Sequence, residues 1–228
     1  PYFVNVQAVS EVSGGVRLDP PWPSDPRIDQ ALGLLARRLG VRHARVIASS
    51  KLPPGGGLGS SGAFGVAAFR ALAGLAGVSE TIEQVLEAVD ETESLFHGRA
   101  SGVDHATSAT GGLLSFRKGG LIAYWKGPPR RIEPVQAATP LHVVIGLTGR
   151  SRSTSRHVTS LGARVEAEPS RWRPLVDRLG ELARSGIAAT ASGDVRGLGG
   201  MMNEAHDVLS RCELSCPELD AIVQAAQC

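Results

Sequence analysis

Apolar and polar residues alternate with a period of two over residues 3–10 and 13–18, which predicts two short strands. "PPWPSDP" then breaks the chain, and "RIDQALGLLARRLG" gathers its apolar residues on one helical face before closing at Gly40. "ARVIASS" reads as a further strand. After a glycine-rich loop, "SSGAFGVAAFRALAGLAG" has helical periodicity, and its Ala and Gly residues imply a helix packed closely on its neighbours. Ser79 is placed to cap another helix running to about Leu95. "GGLLSFRKGGLIAYWK" predicts a β-hairpin turning at Lys118, Gly119 and Gly120, "GPPRRIEP" a linker, and the apolar run "LHVVIGLT" a buried strand. Helical patterns follow over 152–167, 170–188, 194–210 and 217–228. Strands dominate early and helices late without regular βαβ alternation, so the expected fold class is α+β.

Composition narrows the function classes. With 228 residues and 42% apolar content, the chain can bury one large core or two small ones, mostly with aliphatic side chains because aromatics are only 4%. A formal charge of +2, spread along the sequence, gives no reason to expect nucleic acid or an anionic membrane as partner. No apolar run reaches the ~18 residues of a membrane span. The three cysteines, Cys212, Cys216 and Cys228, are an odd number without a secretory leader in front, which favours reduced thiols and a cytoplasmic location. Cys212 and Cys216 have no second Cys/His pair to complete a metal site. The sequence starts in a strand-like pattern without methionine and stops inside a helical one, so a piece of a longer protein is expected.

The chemistry concentrates in "KLPPGGGLGSSGAFG". Gly57, Gly59 and Gly62 match G-x-G-x-x-G, but a dinucleotide fold needs an acidic residue ending a strand about 20 residues later. "SETIEQVLEAVDETE" occupies that place and is helical. A P-loop needs a lysine after its glycines, and none is present. A structural turn capped by Ser60 accounts for one serine and few of the glycines. An anion cradle accounts for more, since glycines let backbone N–H groups converge on phosphate oxygens at a helix N-terminus. A serine hydroxyl there can reach a phosphate or ligate Mg2+.

At "PPGGGLGSSGA" the chain resembles the GHMP kinase superfamily, whose phosphate loop reads P-x-x-x-G-L-G-S-S-A; Gly62 stands where alanine is usual. "ETESLFHGRASGVDHATSATGG" looks like the mevalonate kinase segment E-x-x-x-H-G-x-P-S-G-V-D-N-x-x-S-x-x-G-G. "LGGMMNEAHDVLSRCELSCPELDAIVQAA" is similar to a late helical pair of that branch, joined by S-x-P-x-L-D. The three segments occur in family order. The resemblance implies a two-domain fold: an N-terminal α+β domain over 1–136 and a ferredoxin-like C-terminal domain over 137–228, both incomplete at their outer ends. The family's first motif should precede Pro1 and its last should follow Cys228, so these residues alone are expected to be inactive or nearly so.

The resemblance further implies transfer of the ATP γ-phosphate to an alcohol, with mevalonate the first choice of acceptor and ATP and Mg2+ as cofactors. Pro53, Gly55, Gly56, Gly57, Leu58, Gly59, Ser60, Ser61 and Gly62 would then hold the nucleotide phosphates. Ser61 and Glu93 would ligate the metal, and Asp104 would be the general base. Ser101, Gly102, His97 and Thr154 would line the acceptor side, although His97 either binds substrate or packs structurally. The bland alternatives are an ordinary helix-start residue for Asp104 and a solvated carboxylate for Glu93, which shares its helix with Glu87, Asp90 and Glu91. His206 is expected to face the domain junction rather than a metal. Ala100 for proline and His105 for asparagine depart from the family pattern, and both are expected beside the acceptor. Galactokinase-like and heptose-phosphate kinase-like activities, or a non-catalytic relic, are the alternatives. Family members are often dimers, so a homodimer is also an expectation.

Overall fold

The computed structural model describes residues 4–19, 25–52, 56–97, 101–117, 131–150 and 154–227. It forms two compact units, Pro1–Gly111 and Gly112–Cys228.

In the first unit, β1 (Val4–Ser10) and β2 (Val16–Asp19) flank β3 (Ala44–Ser50) in the order β1-β3-β2. β3 runs antiparallel to β1 and parallel to β2. Its period of two buries Ala44, Val46 and Ala48 on one face, as the alternation expects. α1 (Pro26–Arg38) lies against β2, and α2 (Ser60–Ala76) lies against β1. α1 starts where Asp25 accepts a hydrogen bond from Arg27 N–H at 2.9 Å and Pro26 occupies the first turn. Its Leu32 and Leu35 are fully enclosed, as are Leu72 of α2 and Val85 and Val89 of α3 (Ile82–His97). α3 packs on α1 and α2, and the short α4 (Val103–Thr110) packs on α2 and α3.

Two local details of α3 correct the sequence expectation. Thr81, rather than Ser79, caps it: Thr81 N–H donates to Gln84 Oε1 at 2.9 Å while Gln84 N–H donates to Thr81 Oγ1 at 3.3 Å. This reciprocal box satisfies two donors that a lone serine further out cannot reach. The acidic residues of α3 are also not simply solvated. Glu87 and Glu91, one turn apart, both receive Arg38 of α1, at 2.8 and 3.2 Å.

The second unit holds a two-stranded sheet of β4 (Leu114–Arg117) and β5 (Arg131–Pro134), paired antiparallel from Leu114↔Pro134 to Arg117↔Arg131. The expected linker over 127–134 is therefore partly strand, because Ile132 turns inward between exposed Arg131 and Glu133. The expected turn at Lys118–Gly120 and the expected return strand over 121–126 lie outside the described residues. A second correction concerns 141–148. No strand forms there; Val143 is 73% and Val144 96% exposed, because no described strand pairs with this run and apolar composition alone supplies no hydrogen-bond partner.

The helices α5 (Thr154–Ala167), α6 (Pro169–Ser192), α7 (Val195–Arg211) and α8 (Pro217–Gln227) complete the unit, within a few residues of the sequence expectation. Val165, Trp172, Leu175, Leu182, Val208 and Cys212 form its core. Arg164 and Arg171 stack on Trp172, with guanidinium carbons 4.6 and 4.5 Å from the ring centre. Between α7 and α8, Asp220 Oδ1 accepts from Ser215 Oγ at 2.5 Å and meets His206 Nε2 at 3.0 Å. His206 is thus a helix-pair contact.

The Ser215 hydroxyl, with the His206 contact adding to it, holds the Asp220 carboxyl below its ordinary value of 3.8. A carboxyl depressed by folding contributes stability above its unfolded value and loses it as pH falls through the folded one. Asp220→Asn should therefore lower the urea midpoint most near neutral pH, and the gap to the parent should close below pH 3.8. A gap that persists unchanged in acid would show that the carboxylate charge is not what matters.

Candidate active site

The site is built from three helix ends in the first unit. Gly57 and Gly59 adopt left-handed backbone, at φ 72° and 66°, which turns the loop sharply into α2 without a Cβ penalty. Gly59 is the N-cap and has no side chain to cap the helix, so Ser60 is the first helical residue rather than a cap. The first helical hydrogen bond runs from Ala63 N–H to the Gly59 carbonyl at 3.0 Å. The N–H groups of Ser60, Ser61 and Gly62 precede it and have no partner within the helix, which leaves a donor-rich, positive end. This is the geometry an anion cradle requires.

α3 brings a carboxylate to that end. Ser61 Oγ donates to Glu93 Oε2 at 3.3 Å, across 32 positions of sequence, and Glu93 is only 3% exposed. Burying a carboxylate against a hydroxyl at a helix N-terminus gathers hard oxygen donors where phosphate charge would arrive. The pair fits Mg2+, which takes one or two protein oxygens and completes its shell with phosphate and water.

α4 brings the second carboxylate. Gly102, buried and at φ 94°, is its N-cap, and Asp104 lies exposed in its first turn. Asp104 is pressed against the glycine loop: a Cβ on Gly59 would stand 3.1 Å from Asp104 Cβ and Cγ. A Cβ on Gly62 would stand 2.9 Å from the His105 backbone nitrogen. The glycines at 59 and 62 thus serve close approach of α4 as well as turn geometry. Gly65 repeats the device one turn later, with a Cβ position 2.8 Å from Val89 Cγ1 of α3. The small residues of α2 let both neighbours in.

The other sequence candidates are distributed as follows. Gly56 and Leu58 belong to the described loop, whereas Pro53 and Gly55 lie outside the described residues. Ser101 is exposed, and its Oγ accepts from Val103 N–H at 3.3 Å, a local turn at the start of α4. His97 is the last residue of α3 and Thr154 the first of α5 in the second unit; the side chains of both lie outside the described residues, as does Ala100. His105 corrects the expectation that it sits beside the acceptor. Its side chain is 1% exposed and turned inward, with Nε2 2.9 Å from Asp90 Oδ1 of α3. Sequence reasoning missed this contact, and the available signal was helical spacing: Asp90 and Glu93 share one face of α3 while Glu87 and Glu91 share another.

Residues 27–112 match the model for the GHMP kinases N-terminal domain. A mevalonate kinase of Thermococcus sibiricus is 33% identical over 184 residues, which are 78% of this chain and 52% of that protein. The chain spans about half the length of the curated relatives it matches. Among solved structures, an L. major mevalonate kinase in complex with R-mevalonate superposes with a TM-score of 0.77 at 24% identity, covering 98% of this chain and 70% of that one. A Streptococcus pneumoniae phosphomevalonate kinase in complex with phosphomevalonate and AMPPNP gives 0.66 at 18% identity, covering 91% and 70%. These likenesses establish the fold.

Proposed function

Starting from the chain's membership of the GHMP kinase superfamily, we propose that it carries the phosphate cradle and general base of an ATP-dependent kinase acting on a small-molecule alcohol, with mevalonate as acceptor. The observation that carries the reading is the meeting of the α2 N-terminus, the Ser61–Glu93 pair and Asp104 at one end of the first unit.

In this reading the loop from Pro53 to Gly62 orients the nucleotide through backbone donors, which fit the tetrahedral array of phosphate oxygens. Ser61 and Glu93 would hold Mg2+. The bound cation would offset the negative charge of the phosphates. Asp104 orients the acceptor hydroxyl and takes its proton as the oxygen bonds to the γ-phosphorus, while the bond from that phosphorus to the β-phosphate oxygen breaks and ADP leaves. Asp104 supplies a carboxylate in the first turn of α4 and against the loop, and its exposure keeps it open to substrate. Ser101, Gly102, His97 and Thr154 would border the acceptor. The burial of His105 means that this departure from the family pattern presents no side chain to an acceptor.

The two family domains divide at 136/137 in this proposal. The compact units divide earlier, between Gly111 and Gly112, so β4 and β5 belong to the first domain by the family pattern and to the second unit by their contacts. No described helix is long and apolar enough to cross a membrane. A cytoplasmic location and a homodimer complete the reading.

The test is ATP-dependent ADP release by the full gene product with Mg2+ and a panel of mevalonate, phosphomevalonate, galactose, homoserine and a heptose phosphate. Turnover of mevalonate above the rest is expected. Turnover of a sugar alone would retain the kinase chemistry and reject the acceptor. Silence from a folded protein that still binds ATP would reject catalysis and favour a nucleotide-binding relic.

A further inference from the structure

We propose that Asp90 and His105 form a clamp that positions Asp104, a role that rests on the kinase reading above. Asp104 reaches the loop only because α4 approaches α2 closely, with the His105 backbone nitrogen and the Asp104 carbonyl carbon 2.9 and 3.1 Å from the Cβ position of Gly62. Glycines permit that approach but do not enforce it. α4 spans Val103–Thr110, about two turns, which is too short to hold its place by helix propensity alone. Something must fix its first turn.

The inward side of that turn is His105, 1% exposed, and its Nε2 stands 2.9 Å from Asp90 Oδ1, an ion-pair distance without hydrogen-bond alignment. Asp90 retains 32% side-chain exposure, so the contact bridges the edge of the unit and its interior. One helical turn along the same face of α3, Glu93 meets Ser61 of α2 at 3.3 Å. A single rigid helix therefore sets both partners of the chemistry. Asp90 fixes the helix that bears the base, and Glu93 fixes the serine at the phosphate end. The separation between base and cradle is then set by the spacing of residues 90 and 93 rather than by loop conformation.

His105 and Asp90 touch no reacting atom in this scheme, so they are positioning residues. Displacing a reacting group by about 1 Å can cost about a hundred-fold in rate, whereas substrate affinity is governed by other contacts. The clamp therefore predicts a loss in kcat without a matching change in KM.

Asp90→Ala and His105→Leu are compared with Asp90→Asn, which keeps an acceptor, and His105→Gln, whose amide can reach the Nε2 position. Asp90→Ala alters a partly exposed side chain and carries the test alone should His105→Leu fail to fold. In the full gene product, Asp90→Ala and His105→Leu should each lower kcat about ten-fold or more with KM for ATP within about two-fold, and the conservative pair should recover at least about a third of the parent kcat. Amide exchange, followed by mass spectrometry, should speed up about ten-fold in residues 101–112 and stay unchanged in 82–89. Unchanged exchange in 101–112 would overturn the clamp, and faster exchange with unchanged kcat would overturn its positioning role. Equal losses in conservative and disruptive variants would also overturn it, by pointing to general core damage. A parent protein without turnover on any acceptor rejects the kinase reading and with it the positioning of a base; exchange then decides only whether the Asp90–His105 contact holds α4.

Discussion

Asp104→Asn is expected to lower kcat for the acceptor by about 10²–10⁴-fold, the range for losing a positioned base. Binding of ATP should stay within about two-fold, because the substitution changes one atom and leaves binding contacts to the backbone of the loop. The near-isosteric amide is the right probe here. Asp104 Cβ and Cγ lie 3.1 Å from the Cβ position of Gly59, so a larger residue would displace the loop and mix two effects. An amide accepts no proton at neutral pH, and rate is the quantity that should respond. Steady-state ADP release, with ATP binding measured by calorimetry, separates the two. A kcat within about ten-fold of the parent would remove Asp104 from the role of base.

Gly62→Ala is expected to destabilise the protein, although helix propensity alone predicts the reverse. Gly62 is the third residue of α2, where alanine gains at most about 1 kcal/mol over glycine. Against that, the new methyl would meet the His105 backbone nitrogen at 2.9 Å and the Asp104 carbonyl carbon at 3.1 Å. Backbone atoms cannot rotate away as a side chain can, so α2 and α4 must separate. Overpacking of this kind costs about 1–3 kcal/mol and should outweigh the propensity gain. A lowered urea midpoint with unchanged slope is the expected result, together with a reduced kcat as Asp104 moves off the loop. The family pattern usually has alanine at this position, which sharpens the test. A raised midpoint would mean that α4 yields freely and that the close approach is incidental.

The parts of this structure that were legible in the sequence are those that local rules decide. The helix closing at Gly40, the alternation of Ala44 to Ser50 and the helix opening after Gly59 each follow from periodicity and terminal residues. The sharp turn of the glycine loop into α2 was legible because consecutive residues carry it. What escaped was decided by partners distant in sequence. "LHVVIGLT" has strand composition, yet a strand exists only when another one pairs with it. The Arg131–Pro134 segment looked like a linker because of its prolines and charges, and pairing with Leu114–Arg117 made it a strand. His105 resembled a pocket residue because it follows Asp104, but adjacent positions on a helix face different ways, and one faces Asp90. The acidic run of α3 was one patch in sequence and two distinct faces in space.

The exposed run at Val143, Val144 and Ile145 bears on handling the protein. Consecutive β-branched residues without charge, in a backbone not committed to a ladder, are the template on which chains stack edge to edge. Loss of material to precipitation should therefore rise with concentration and with salts that strengthen apolar association, even where the fold is intact. A lysine placed at Val144, which is 96% exposed, is the economical remedy, since it interrupts the template at a position that contributes little to packing.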